Sequence, residues 1–315
     1  MKEIKAYKAF NKDMTCKNFP YKVGEEYNID GDVRCCMIGF HACEQPFDVL
    51  RYYSPLTSRF ATVTLSGKID ASFGDSKLCA SHIKIKKEIT LRELIIICAK
   101  TLNDFTRNYI TVVYPSLTEL KDAIYARKVI FDSSRLSNPD FYFASKASFK
   151  GIRAEIGIKC NGLKLNIDSN DNDVGLINKN ICLYLTESHN NIYSIGRNCS
   201  IYSSGYGGFI GSIGDCAYIN VSGNNTSIYS SGTQDTIVST GHFSEIRSEG
   251  KKAKIVCMGQ DSKVRAKIGS WITLTSSTLS YPHDEYIRTE QVDGKHIKED
   301  TWYMLKKGEF VEVKE

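Results

Sequence analysis

From His189 onward the apolar positions of the chain recur every nine residues. Cutting at that period gives HNNIYSIGR, NCSIYSSGY, GGFIGSIGD, CAYINVSGN, NTSIYSSGT, QDTIVSTGH, FSEIRSEGK and KAKIVCMGQ with no gap. The fourth position is Ile in all eight units, from Ile192 to Ile255, and the eighth is Gly in all eight, from Gly196 to Gly259. The aliphatic register continues upstream through Leu183, Val174 and Leu165 and downstream to Val264, so about twelve units fit between Gly162 and Gly269. Such self-similarity marks a repeat array whose units bury their apolar side only by stacking on neighbours.

Within a unit the second and sixth positions are mostly small, as in Cys199, Ala217, Ala253, Ser194, Ser203 and Ser230, while the third and fifth take Tyr, Arg, Lys and Glu. Alternation with period two predicts a short strand whose even positions point inward. Glycine at the eighth position is expected to supply a positive φ that turns the chain. Two nine-residue strands per coil give an 18-residue turn of a β-roll. Six such coils, at about 4.8 Å each, make a rod on the order of 30 Å long. Handedness stays open.

Upstream, AYKAF, RFATVTLSGKI and HIKIKKEI alternate or are rich in β-formers, with turn signals at VGEE and DGD, and Gln45 to Tyr53 suits a short helix. From Thr90 to about Phe131 the pattern turns helical. TLRELIIICAKTLNDF has apolar residues at helical spacing, and Ser116 with Glu119 reads as a capping box opening SLTELKDAIYARKVIF. The turn-rich SSRLSNPDF, residues 133 to 141, is the linker candidate. After the array, Trp271 to Leu274 continues as a strand, and Asp293-Gly294 and Lys307-Gly308 are hairpin signals. The expectation is a mainly β chain with a helical insert, α+β in class. It divides into a β-rich N-terminal domain (1–88), the insert (89–132), a linker and lead-in (133–161), a nonapeptide β-solenoid (162–277) and a C-terminal hairpin cap (278–315). A cap is needed because a solenoid end exposes unpaired strand edges.

Charge and cysteine content narrow the setting. Lys and Arg number 41 against 36 Asp and Glu, a net +5 spread along the chain. The first residues, MKEIKAYKAF, hold no apolar signal core, and the longest purely apolar stretch, Leu94 to Ala99, is too short to span a bilayer. No membrane association is expected, and the cytoplasm of a bacterial host is the expected location. Eleven cysteines, an odd number, favour reduced thiols over a disulfide framework.

Tyr7-Lys8-Ala9-Phe10, then Phe19-Pro20-Tyr21-Lys22-Val23-Gly24 with Tyr27, then Gly39-Phe40-His41-Ala42-Cys43, resemble an uncharacterised domain family of bacterial and phage proteins. Phage members often join that domain to degenerate nonapeptide repeats. The ending, Gly269-Ser270-Trp271 and Val292-Asp293-Gly294-Lys295-His296-Ile297-Lys298-Glu299-Asp300-Thr301-Trp302-Tyr303, is similar to the tail that follows such repeats. The insert from about Thr90 to Phe131 departs from the pattern. The resemblance implies a phage or mobile-element setting and no reaction.

Three clusters carry candidate chemistry. His41 and Cys43, with Cys35 and Cys36, are the densest set of potential metal ligands, but the second knuckle a zinc site needs is missing, and core packing is the expected role. The isolated Asp215, Asp235 and Asp261 do not make the ladder of a calcium-binding roll. Neither a metal nor a cofactor is expected. An alternative makes the N-terminal segment a nucleotide-binding, transferase-like enzyme, with His41 on a ribose and Glu44 as the electrostatic group. That reading requires His41 in a concave pocket with an acid opposite.

The third cluster is the outward face of the solenoid, where Tyr193, Tyr202, Tyr229, Arg247, Lys254 and Arg265 are the expected binding residues. Positions 18 apart put Tyr193, Gly211, Tyr229, Arg247 and Arg265 in one row, and Arg247, Lys251, Lys252, Lys254, Lys263, Arg265 and Lys267 outnumber Glu245, Glu249 and Asp261 nearby. Tyr and Arg are enriched in protein interfaces, and a basic stripe also tracks phosphates. A protein partner is therefore expected first and nucleic acid second, with self-association through the apolar insert open. The leading functional expectation is a non-catalytic phage or mobile-element interaction protein, in one version an inhibitor of a bacterial defence protein. The enzyme and a virion-associated structural protein are the alternatives.

Overall fold

Alternating side chains in IKAYKAF and RFATVTLSGKIDA build strands Ile4–Phe10 and Arg59–Ala71, and the third expected strand is Lys77–Ile89. The computed structural model describes residues 3–71, 75–104, 111–113, 128–132, 146–149, 154–159, 162–177, 179–277 and 285–314. Two compact units divide it, Met1–Thr101 and Leu102–Glu315.

In the first unit Ile4–Phe10 pairs antiparallel with Phe40–Cys43 on one side and Arg59–Ala71 on the other. Both of these pair with Lys77–Ile89, so the hydrogen-bonded circuit closes on itself, and Glu26–Asn28 adds to Lys77–Ile89. A closed circuit leaves no central strand edge unpaired. Its interior is Ala6, Phe10, Phe40, Ala42, Val63, Leu65, Ile83 and Ile85. The VGEE and DGD turns hold Gly24 and Gly31 at φ +91° and +94°, and a 3-10 turn spans Pro46–Arg51.

Helix α1, Leu91–Leu102, follows. Its start is a capping box: the Glu93 N–H donates to Thr90 Oγ1 (3.1 Å) and the Thr90 N–H donates to Glu93 Oε2 (2.8 Å). The Thr90 N–H, Lys87 and the Thr90 hydroxyl hold the Glu93 carboxyl down at about 2. Leu91, Leu94, Ile95, Cys98, Ala99 and Leu102 form the buried stripe.

The second unit is a parallel β-solenoid of about 6 turns that ends in antiparallel strands. Strands alternate between two sheets, each pairing with the strand 18 residues on. One sheet stacks Leu165, Leu183, Ile201, Ile219, Ile237 and Ile255, and the other stacks Val174, Ile192, Ile210, Ile228, Ile246 and Val264. These side chains form one buried core. Several polar second positions have a task there, accepting a backbone N–H one coil earlier. Asn190 Oδ1 accepts from Asn172 N (3.0 Å), Asp235 Oδ1 from Ala217 N (2.8 Å) and Ser262 Oγ from Ser244 N (3.0 Å).

Several expectations change. The eighth-position glycines do not take the positive φ. The first position does: His189, Asn198, Cys216, Asn225, Gln234, Phe243, Lys252 and Asp261 lie between φ +54° and +62°. Their N–H groups thereby point along the stack, as in Asn198 N to Asp215 O (3.0 Å) and Asn225 N to His242 O (2.9 Å). The glycines are needed for close approach instead. A Cβ on Gly223, Gly241 or Gly259 would overlap the carbonyl oxygen of the glycine one coil earlier.

The solenoid ladder also begins earlier than residue 162, with Lys128–Asp132, Lys146–Phe149 and Glu155–Lys159 already in parallel register. Lys128–Asp132 is a strand where a helix was expected, because KVIF is a short apolar run that suits either state. The Ser116/Glu119 capping box and the linker at 133–141 lie outside the described residues. At the far end, Lys307 and Gly308, at φ +48° and +80°, form the expected two-residue hairpin between Trp302–Lys306 and Glu309–Val313. Asp293-Gly294 is not a hairpin. Its strand, Glu285–Gln291, pairs back onto Trp271–Ser277, and Asp293 Oδ1 accepts the N–H groups of Lys295, His296 and Ile297 in a side-chain-capped turn.

Candidate functional site

Strand Phe40–Cys43 is set by Gly39, whose φ of +127° and contact with the Cys79 thiol leave no room for a side chain. The strand delivers His41 to a cavity of about 530 Å³ inside the first unit, within the usual range for ligand pockets. Lys8, Lys17 and Lys77 line it with His41, and its apolar wall comes from Phe19, Tyr21, Phe40 and Tyr52. None of the residues lining it is Asp or Glu.

The charge arrangement is unusual. Lys8 is 4% exposed, and its Nζ donates to His41 O (2.8 Å) and Cys16 Sγ (3.5 Å) and lies over the Phe10 and Tyr21 rings. It forms no ion pair among the described residues. Burial pushes its pKa down. Burial, then Lys8, Lys17 and Lys77, bring His41 down to about 4, so the imidazole is neutral and its Nε2 accepts the Cys36 N–H (2.9 Å). Cys43 is buried and its thiol pushed up, chiefly by desolvation.

Glu44 does not join His41. It lies beyond the end of the strand, exposed and outside the lining, with its N–H bonded to Ser76 O (3.0 Å). The enzyme reading thus has its concave pocket and lacks the acid it assigned there. Among the described residues no group of three or more His, Cys, Asp or Glu is placed to hold a metal.

The solenoid separates the six expected binding residues onto two faces. Tyr193, Tyr229, Arg247 and Arg265 form the expected row with Gly211. Its tyrosines are not open to solvent, since Tyr193 and Tyr229 are buried. Tyr193 donates to Asp173 (3.2 Å) and packs near Phe209, while Tyr229 donates to Glu249 (2.6 Å) under the Arg247 guanidinium. The nearby cations are mostly neutralised. Arg247 pairs with Glu249, Lys263 with Glu245 (2.8 Å), Arg265 with Asp300 (3.6 Å) and Lys267 with Asp300.

Tyr202 and Lys254 belong to the other sheet. There Tyr184 and Tyr202 stack at 4.7 Å and 6°, Tyr218 follows at 5.7 Å, and Lys164 sits over Tyr184. All three tyrosines are half-buried; Tyr184 and Tyr202 share one column, and Tyr218 lies in the next, which runs through Thr236 to Lys254 and the 50%-exposed Trp271.

Sequence reasoning missed Lys8, Lys17, Lys77 and Tyr52. Only Lys8 left a legible signal: in strand Ile4–Phe10 it shares the inward register of Ala6 and Phe10, where a lysine has no ordinary place.

The fold and site define a two-part protein, a small antiparallel β domain followed by a parallel β-solenoid. Residues 4–97 match the model of a domain of unknown function, DUF7666. No curated protein and no solved structure matches the chain.

Proposed function

We propose that this is a non-catalytic interaction protein whose solenoid docks a protein partner on the face carrying Tyr184, Tyr202 and Tyr218. The observation behind it is the aromatic cluster on one sheet, Tyr184 stacked on Tyr202 at 4.7 Å and Tyr218 tilted against Tyr202 at 5.7 Å from the next column, left half-open. Tyrosines present large area at small entropic cost and a hydroxyl for the wet rim, the profile of interface anchors. Lys164 and Lys254 on the same sheet favour a partner surface with acidic residues around an apolar centre. The opposite row is a weaker candidate, because its tyrosines are buried and its cations paired, which also weakens a phosphate-tracking role. Occlusion of a bacterial defence protein in the host cytoplasm is the specific form this proposal takes, in the phage or mobile-element setting that the motif resemblance implies.

Affinity capture from bacterial host lysate at high salt tests it, run beside a Tyr184→Ala/Tyr202→Ala/Tyr218→Ala variant shown to fold by circular dichroism. The expected result is a discrete protein retained by the parent chain and lost by the variant. Equal retention by both, or salt-sensitive nucleic acid alone, contradicts it.

A further inference from the structure

The cavity around His41 is independent of that docking face and poses a separate chemical question. Three ammonium groups converge on it with no carboxylate in its lining, and one of them, Lys8, is buried with a carbonyl and a thiol as its hydrogen-bond partners. A buried amine without a counter-charge has its charged form disfavoured, as the lowered Lys8 pKa reflects, and a bound anion offsets that cost. Lysine is a point-charge binder of phosphate, and three lysines balance more than a single carboxylate charge. The walls supply the rest. Phe19 packs edge-on against Tyr21, Tyr27 and Phe40 yet remains 40% exposed, and the lining also holds the exposed Tyr52, which has Lys77 over one face of its ring at 4.3 Å and its hydroxyl bonded to Asp75 and Lys77. Open aromatic faces beside lysines accept a flat ring attached to an anion.

We propose that this cavity is a binding site for a small organic phosphate bearing a planar ring, with Lys8, Lys17 and Lys77 holding the phosphate and Phe19 and Tyr52 flanking the ring. His41 is not a base in this arrangement. Its Nε2 is occupied by the Cys36 N–H, and its neutral ring helps shape the floor. An anion placed among the lysines would also offset the part that Lys8, Lys17 and Lys77 add to burial in lowering His41, so binding raises the His41 pKa from about 4.

The test uses the full chain and four 5′-nucleoside monophosphates, phenyl phosphate, adenosine and inorganic phosphate as probes, read by calorimetry and by the His41 imidazole signals in NMR titration. At least one ring-bearing phosphate is expected to saturate, to raise the His41 pKa, and to bind about tenfold or more tighter than adenosine, which lacks the charged contacts, or than phosphate alone, which lacks the ring. Lys17→Gln and Lys77→Gln should each weaken it by about the same factor. Lys8→Met should abolish binding while raising thermal stability, which separates loss of the site from loss of the fold. No saturation by any ring-bearing phosphate at millimolar concentration overturns the proposal. So does adenosine binding as well as its monophosphate, or binding unchanged in the lysine variants.

Discussion

At each corner of the solenoid the first and eighth positions solve different problems. Asn225 takes φ +55° so that its N–H reaches the next coil, whereas Gly241 has ordinary φ and no space for a Cβ beside the Gly223 carbonyl. Gly241→Ala should therefore cost roughly 1–3 kcal/mol or more through overpacking. Asn225→Gly, which relieves a left-handed residue, should change stability by no more than about 1 kcal/mol in the favourable direction. Both Trp residues, Trp271 and Trp302, lie in the solenoid unit, so their fluorescence in urea reads its unfolding directly. The glycine period was plain in the sequence and its cause was not, because close approach and positive φ both select glycine.

Asp235 gives a pH signature on the same readout. Burial raises its carboxyl from 3.8 to about 6, with the Ser230 hydroxyl and the Ala217 N–H opposing. The folded unit therefore binds more protons than the unfolded chain between those values, and stability falls as pH rises from about 4 to 6. The loss amounts to as much as roughly 3 kcal/mol. Asp235→Asn should flatten that dependence and stabilise the unit at pH 7. His41 acts in the opposite sense in the first unit. Its pKa is lowered from 6.5 to about 4, so its contribution is present above pH 6.5 and lost as pH falls through 4.

At the scale of elements, helix α1 depends on a capping box that begins one residue before it. Thr90→Ala removes the side-chain acceptor for the Glu93 N–H and should cost about 1 kcal/mol, measured by thermal melting against the parent chain. Apolar spacing from Leu91 to Leu102 made this helix legible. The strand Lys128–Asp132 was not, since four apolar-rich residues carry no period of their own. The outward row of Tyr193 and Tyr229 shows a related limit. Alternation fixes which side of a strand a residue occupies, but burial depends on neighbours such as Phe209 and Arg247, which lie in other strands.

For the whole molecule, the coil of 18 residues is the unit of construction, set by the register Ile192–Ile210–Ile228 in one sheet and Ile201–Ile219–Ile237 in the other. Nearest-neighbour stacking makes a solenoid tolerant of losing a complete repeat. Deleting residues 207–224 should leave a folded, shorter rod with cooperative urea unfolding. Deleting only residues 216–224 moves every later strand to the other sheet relative to the strands before it, sets Val238 in place of Tyr229 beside Gly211, and should lower the urea midpoint more than loss of the whole coil does. The repeat was readable at this scale because it runs without insertion. The cavity was not, because Lys8, Lys17, His41 and Lys77 come from separated segments that only the closed circuit of strands brings together.

The partner-docking face is tested most directly by photo-crosslinking in host lysate, with a benzophenone amino acid replacing Tyr202 in one sample and Arg247, on the opposite sheet, in another. The account predicts one discrete protein adduct from position 202 and none of that mass from position 247. Adducts of equal yield from both positions, or none from 202, would contradict it.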